Sequence, residues 1–96
     1  MLDNYAQKII DSNPNMMVPW YLIAAYAYYV EDEPVVSDKF YDQLAEDLLL
    51  NYRFIDHVHK HYITEEMLKA GTYLGDYPSI IEGAVRDLRV NKKDYT

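Results

Sequence analysis

The sequence predicts an all-α fold: a small domain of about five short helices with a central helical hairpin. Three observations predict it. Apolar residues recur at three- and four-residue spacing along most of the chain. No pair of alternating apolar and polar runs is legible as strands. Prolines, glycines and short polar residues fall where that spacing breaks, as helix starts and stops require.

Asp3 is expected to cap a first helix through about Ile10, with Tyr5, Ala6, Ile9 and Ile10 at helical spacing. Ser12-Asn13-Pro14-Asn15 ends it by turn chemistry, and Met16 and Met17 follow as apolar filler. The second helix is predicted to begin near Pro19, whose fixed φ suits a first turn. One face carries Trp20, Ile23, Ala24, Ala27 and Val30; Leu22, Tyr26 and Tyr29 lie on a second, and Tyr21, Ala25 and Tyr28 on a third. A helix apolar all round belongs at the centre of a bundle.

Pro34 disfavours helix at Glu33, so the acidic elbow Glu31-Asp32-Glu33-Pro34 ends this element. Ser37 is expected to cap a third helix from about Asp38 to Leu50, with Tyr41, Leu44, Ala45 and Leu48 inward and Lys39, Gln43 and Glu46 outward. So short a connection makes helices two and three a hairpin. A fourth helix is expected from Phe54 to about Tyr62, then a turn from Glu65 to Ala70, capped by Thr64 and stopped at Gly71. Pro78 should open a last helix through about Val90, with Ile80, Ile81, Ala84, Val85 and Leu88 inward; 91–96 should fray.

With 96 residues, half of them apolar and only three glycines, the chain reads as one globular domain near the lower size limit for an unaided core. Cysteine is absent, which removes disulfides and thiolate chemistry and fits a reducing compartment. No signal peptide is legible. The apolar run Pro19 to Val30 is well short of the roughly 20 residues that span a bilayer, so the expected location is the cytoplasm. Net charge is −7, from 16 acidic and 9 basic residues, which disfavours direct nucleic-acid binding. The local basic excess, Arg86, Arg89, Lys92 and Lys93, reads as cations at the negative end of a helix. Eleven tyrosines stand out. Such rings suit a core with many hydroxyls at its rim, or a surface that stacks on a flat ligand or meets a partner.

Asp38 and Asp42 lie one turn apart with Tyr41 beside them, where the helix dipole alone would stabilise two carboxylates. On a helix, His57 and His61 would share a face at zinc-binding spacing, but His59 would point elsewhere and a third ligand would have to come from afar. Histidines on an ordinary polar surface or under a loop are the expected reading, with no metal. Gly71-Thr72-Tyr73-Leu74-Gly75 lacks the lysine and hydroxyl residue of a phosphate loop.

Residues 28–44 read Tyr28-Tyr29-Val30-Glu31-Asp32-Glu33-Pro34, then Ser37-Asp38 and Tyr41-Asp42-Gln43-Leu44. This frame resembles the pattern Tyr-His-x-x-Asp-x-Pro-x-x-x-Asp-x-x-Tyr-Asp-x-Leu of domain Ia, the small N-terminal helical domain of bacterial NAD-dependent DNA ligases. The resemblance covers a quarter to a third of the chain, within the hairpin at 20–50. It implies binding of the nicotinamide mononucleotide (NMN) half of NAD. Tyr28 would pack on the nicotinamide ring, Asp38 and Asp42 would serve its polar groups and the ribose, and Tyr41 would complete the wall; Tyr29 stands where the family has histidine. An oxidised nicotinamide is flat and cationic, which suits aromatic faces and carboxylates. The ligase's adenylated lysine sits in Lys-x-Asp-Gly, and this chain contains no Asp-Gly. Free-standing chains of this kind look like phage accessory proteins, which would act in a host cytoplasm. The expected function is therefore non-catalytic: binding NMN or NAD, or acting in trans with a nucleotidyltransferase partner. The alternative is an interaction or self-assembly module whose acidic, tyrosine-rich face meets a basic partner or another copy.

Overall fold

In a computed structural model that describes residues 1–91, five α-helices follow in order. They are α1 (Asp3–Ser12), α2 (Met17–Ala25), α3 (Asp38–Leu50), α4 (Glu65–Ala70) and α5 (Ser79–Val90). No strand occurs among the described residues, and the fold is all-α. Of the expected tail, only Asn91 lies within the described residues.

Helix α2 is the centre. Seven of its nine residues are buried, and only Met17 and Pro19 reach partly into solvent. It packs against α3 on the other arm of the hairpin and against α5, while α4 lies against α3. Helix α2 starts at Met17, two residues before the expected Pro19, because the 3-10 turn Pro14–Met16 feeds straight into it.

Asp3 does not cap α1 as expected. Leu2 holds the cap position, and the Asp3 carboxylate instead accepts from the Ser37 amide at 2.9 Å and the Ser37 hydroxyl at 2.6 Å. Ser37 in turn caps α3 by accepting from the Phe40 amide at 3.1 Å. One carboxylate so ties the start of α1 to the start of α3, and the Leu2 amide adds a bond to the Val35 carbonyl at 2.8 Å. A partner 34 residues away has outcompeted the local cap.

The α-helical part of the first arm of the hairpin, α2, ends at Ala25. Tyr26–Val30 is a single widened π-turn, closed by the Glu31 amide on the Tyr26 carbonyl at 3.2 Å. The extra residue in the turn rotates the side chains beyond it relative to an ideal helix. Val30, expected on the Trp20 face, is consequently 54% exposed, and Tyr28 and Tyr29 also emerge. Asp32 then takes a left-handed φ of 52°, a conformation aspartate tolerates better than most residues.

No helix forms from Phe54 to Tyr62. The segment holds two 3-10 turns, Tyr52–Phe54 and Lys60–Tyr62. Between them the backbone is claimed by side chains: Asn15 accepts the Asp56 amide at 2.9 Å, and the His57 ring accepts the His59 amide at 3.1 Å. Such bonds compete with a helical ladder. Ile55 and Ile63 enter the core at either end, and the Tyr52 hydroxyl donates to the Ile63 carbonyl.

Thr64 caps α4 through the Met67 amide, and Gly71 ends it at φ 73°, where only glycine is unstrained. Pro78 is the residue before α5. Ile81, Val85 and Leu88 face inward as expected, but Ile80 is 65% exposed, because 80 and 81 cannot share one face of a helix flanked by solvent.

Buried Tyr73, in the loop between α4 and α5, shares its hydroxyl hydrogen between the Tyr62 carbonyl at 3.1 Å and the Asp76 carbonyl. A Cβ added at Gly75 would lie 2.8 Å from that hydroxyl and 2.9 Å from the ring carbon bearing it. The ring is pinned and cannot step aside. Gly75→Ala is expected to cost about 1–3 kcal/mol, read as a lowered urea midpoint at unchanged slope.

Candidate functional site

The π-turn and the first two turns of α3 face each other across the elbow. Tyr28, Tyr29, Asp38, Tyr41 and Asp42 surround one depression of about 110 Å³, closed at one edge by Gly71. A second groove of about 430 Å³ shares Tyr41, Asp42 and Gly71 with it and continues past Glu46 to Lys69. The two adjoin at these three residues along α3, and together they are termed the channel.

The rings are ordered. Tyr28 lies parallel to Tyr41, 9° between planes and 6.5 Å between centroids. Tyr29 meets Tyr28 edge-on at 4.9 Å. Beneath Tyr41, the buried Tyr21 stacks at 5.2 Å and 13°, so Tyr28, Tyr41 and Tyr21 make one column running from solvent into the core. Below it Tyr73 meets Tyr21 edge-on at 6.0 Å.

Asp38 and Asp42 are exposed, and among the described residues neither makes an ion pair or a hydrogen bond. Asp38 sits in the first turn of α3, where the dipole favours its charge. The Tyr41 phenol is held far above its ordinary pKa, first by burial and then by the neighbouring Tyr21 phenol. Burial also raises Tyr21. Both hydroxyls are therefore neutral donors at any physiological pH. Each is buried without a hydrogen-bond partner of ordinary geometry, although they are close enough to perturb each other's ionisation. The channel thus offers flat faces and two free carboxylates.

The three histidines are elsewhere and do not converge. His57 and His59 have ring centroids 5.5 Å apart and a tilted geometry, and the His61 ring nitrogen lies 3.1 Å from the Val58 carbonyl. Without the expected helix, the four-residue spacing of His57 and His61 places no shared face. Among the described residues no group of three or more histidines and carboxylates could hold a metal ion. Arg86 pairs with Glu82 at 3.4 Å and Arg89 with Glu31 at 2.8 Å; Lys92 and Lys93 lie outside the described residues. No described helix is long and apolar enough to cross a membrane.

Three residues of the site were not among those singled out from the sequence. Gly71 reads there only as a helix stop. Tyr21 carried a signal, since it shares the helical face of Tyr28 at seven-residue spacing. Lys69 carried none.

Among known proteins, the chain is similar to a DNA ligase of Alkaliphilus oremlandii (strain OhILAs), at 69% identity over 26 residues. That span is 27% of this chain and 4% of the ligase. No family model matches the chain, and no solved structure matches it. The chain therefore contains a short region related to DNA ligase.

Two outcomes test the electrostatics. Tyr21→Phe removes a buried hydroxyl that has no partner, and stability is expected to hold or rise by about 1 kcal/mol, whereas Tyr73→Phe, which strips two carbonyls of their donor, should cost about 1–3 kcal/mol in the same urea titration. His57 gives a pH signature. Its pKa is lowered from the usual 6.5, first by burial and then by His59, against a smaller opposing effect of Asp56. On acidification the unfolded chain takes the proton first, so this contribution is complete above about pH 6.5 and is lost as pH falls through the lower folded value. His57→Asn should flatten that part of the stability–pH curve relative to the parent chain.

Proposed function

We propose that the channel binds a nicotinamide nucleotide, NMN or the NMN half of NAD, either by itself or with a nucleotidyltransferase partner that supplies the facing wall. The observation that carries this reading is the parallel pair Tyr28 and Tyr41 with two unpaired carboxylates beside it. A flat ring between two aromatic faces needs a spacing of about 7 Å, twice a carbon–carbon contact distance. The pair is parallel already, and a side-chain adjustment of Tyr28, which is 45% exposed, opens that slot. A pyridinium ring would gain both stacking and attraction to Asp38 and Asp42. Ribose and phosphate would follow the channel past Asp42 toward Lys69, the one cation lining it among the described residues.

Support also comes from the short match to a DNA ligase and from the domain Ia pattern over residues 28–44. The role is binding, not catalysis of adenylation, because the adenylated-lysine motif of those ligases is missing from the sequence. In the cytoplasm, expected for a chain without cysteine, NAD would be at hand.

A second reading keeps the fold and replaces the ligand by a protein. Tyr28, Tyr29 and Val30 expose three consecutive large apolar side chains beside the acidic start of α3. Such a face suits a basic partner or a second copy.

Calorimetry with NMN and NAD separates the two. One open wall is expected to give a dissociation constant on the order of millimolar. The Asp38→Ala/Asp42→Ala variant should bind at least about tenfold more weakly, with its helicity unchanged. No heat for either ligand at about 10 mM rejects autonomous binding, and concentration-dependent light scattering would then point to self-assembly.

A further inference from the structure

The tyrosine wall hangs on irregular backbone. Tyr28 and Tyr29 sit in the π-turn, and two residues after it the chain passes through the left-handed Asp32. Beyond the turn, the Glu31 amide bonds back to the Tyr26 carbonyl at 3.2 Å and the Glu33 amide to the Ala27 carbonyl at 2.9 Å. Glu31, Asp32 and Glu33 are all exposed, so no packing holds them. Local openings concentrate in segments of this kind.

The restraint comes from α5. Arg89 Nε and Nη2 both donate to Glu31 Oε1, at 3.0 and 2.8 Å. Nη2 also donates to the Glu33 carbonyl, and Nη1 lies 3.0 Å from Glu33 Oε2. One guanidinium therefore grips the residues on both sides of Asp32. The Arg89 side chain is only 24% exposed and that of Glu31 33%, so the Glu31 contact is partly shielded from solvent, whereas the Glu33 side chain is 71% exposed. A planar fork of donors can hold a carboxylate, a second carboxylate and a carbonyl together; an ammonium on a flexible stem cannot.

We propose that Arg89 is a positioning residue for the tyrosine wall: by clamping Glu31 and Glu33 it fixes the π-turn in the geometry that sets Tyr28 parallel to Tyr41. Among the described residues, no hydrogen bond or ion pair of Arg89 reaches a residue lining the channel, so its polar contacts act through the elbow. The inference rests on the nucleotide reading for its consequence in binding, but not for its structural content.

Amide hydrogen exchange by NMR tests the structural content. Arg89→Met keeps the apolar stem and removes the fork. It is expected to speed exchange of the Glu31 and Glu33 amides by about tenfold, with core amides such as Leu48 and Val85 unchanged. Arg89→Lys should recover part of the protection. Should Arg89→Met fail to fold, Glu31→Gln/Glu33→Gln removes the carboxylates from the other side and leaves α5 untouched, with the same expected acceleration. Unchanged exchange at Glu31 and Glu33 in whichever variant folds overturns the proposal. In calorimetry, NMN that binds the parent chain should bind Arg89→Met about tenfold more weakly; equal affinity overturns the positioning role. Faster exchange together with no NMN binding by the parent chain leaves the clamp standing and removes the nucleotide reading alone.

Discussion

The stack of Tyr21 on Tyr41 is the contact on which the site depends. Tyr21 comes from the middle of a helix with no solvent-facing side, so its position is set by the whole core. Tyr41 comes from the inward edge of α3 and has one face against that core. With the two rings parallel at 5.2 Å, sliding α3 along α2 would trade an aromatic contact for a gap. The outer face of Tyr41 is then fixed in space, and Tyr28 and both aspartates are measured from it. Binding geometry here is core packing carried one ring further out.

That arrangement has a cost that the fold accepts in one place and avoids in another. Tyr21 and Tyr41 carry buried hydroxyls without partners of ordinary geometry, each costing up to about 1 kcal/mol against an apolar ring of the same shape. Tyr73 shows the alternative, a buried phenol whose hydrogen is shared by two carbonyls and whose pKa is pushed up to about 12, first by burial and then by Asp76. Gly75 exists in that loop so the backbone can approach the Tyr73 ring. A structural tyrosine is thus fully satisfied, while the column under the channel is left short of acceptors.

Much of this was legible, and the failures have a common cause. The apolar encirclement of α2, the Ser37 and Thr64 caps, the Gly71 stop and the inward stripe of α3 are local patterns, and the structure keeps all of them. The five candidate site residues also come together around one depression. What spacing could not show was long-range capture. Asp3 is taken by Ser37 rather than its own helix, Asn15 takes the amide that a helix over 54–62 would need, and Arg89 takes the elbow. The π-turn obeys the same logic, since nothing in Tyr26-Ala27-Tyr28-Tyr29-Val30 forbids an ordinary helix. Periodicity reports which face is apolar, but it has no means of registering a polar partner tens of residues away.

Helix-dipole stabilisation accounts for only part of the acidic start of α3. The dipole explains why carboxylates are tolerated at Asp38, and it would do so equally on any exposed helix. It does not explain why a ring is held parallel to Tyr41 across from them, nor why Arg89 is held by Glu31 and Glu33 and Arg86 by Glu82 instead. An acidic chain with few cations would gain from placing one against Asp38 or Asp42, yet none of the described residues does so. The carboxylates stay available beside a flat aromatic slot, and a flat cation is the guest whose charge and shape answer both at once. Because Asp38 and Asp42 remain solvated, each attraction is small, and tight binding would require a second surface to close over the channel and expel that water.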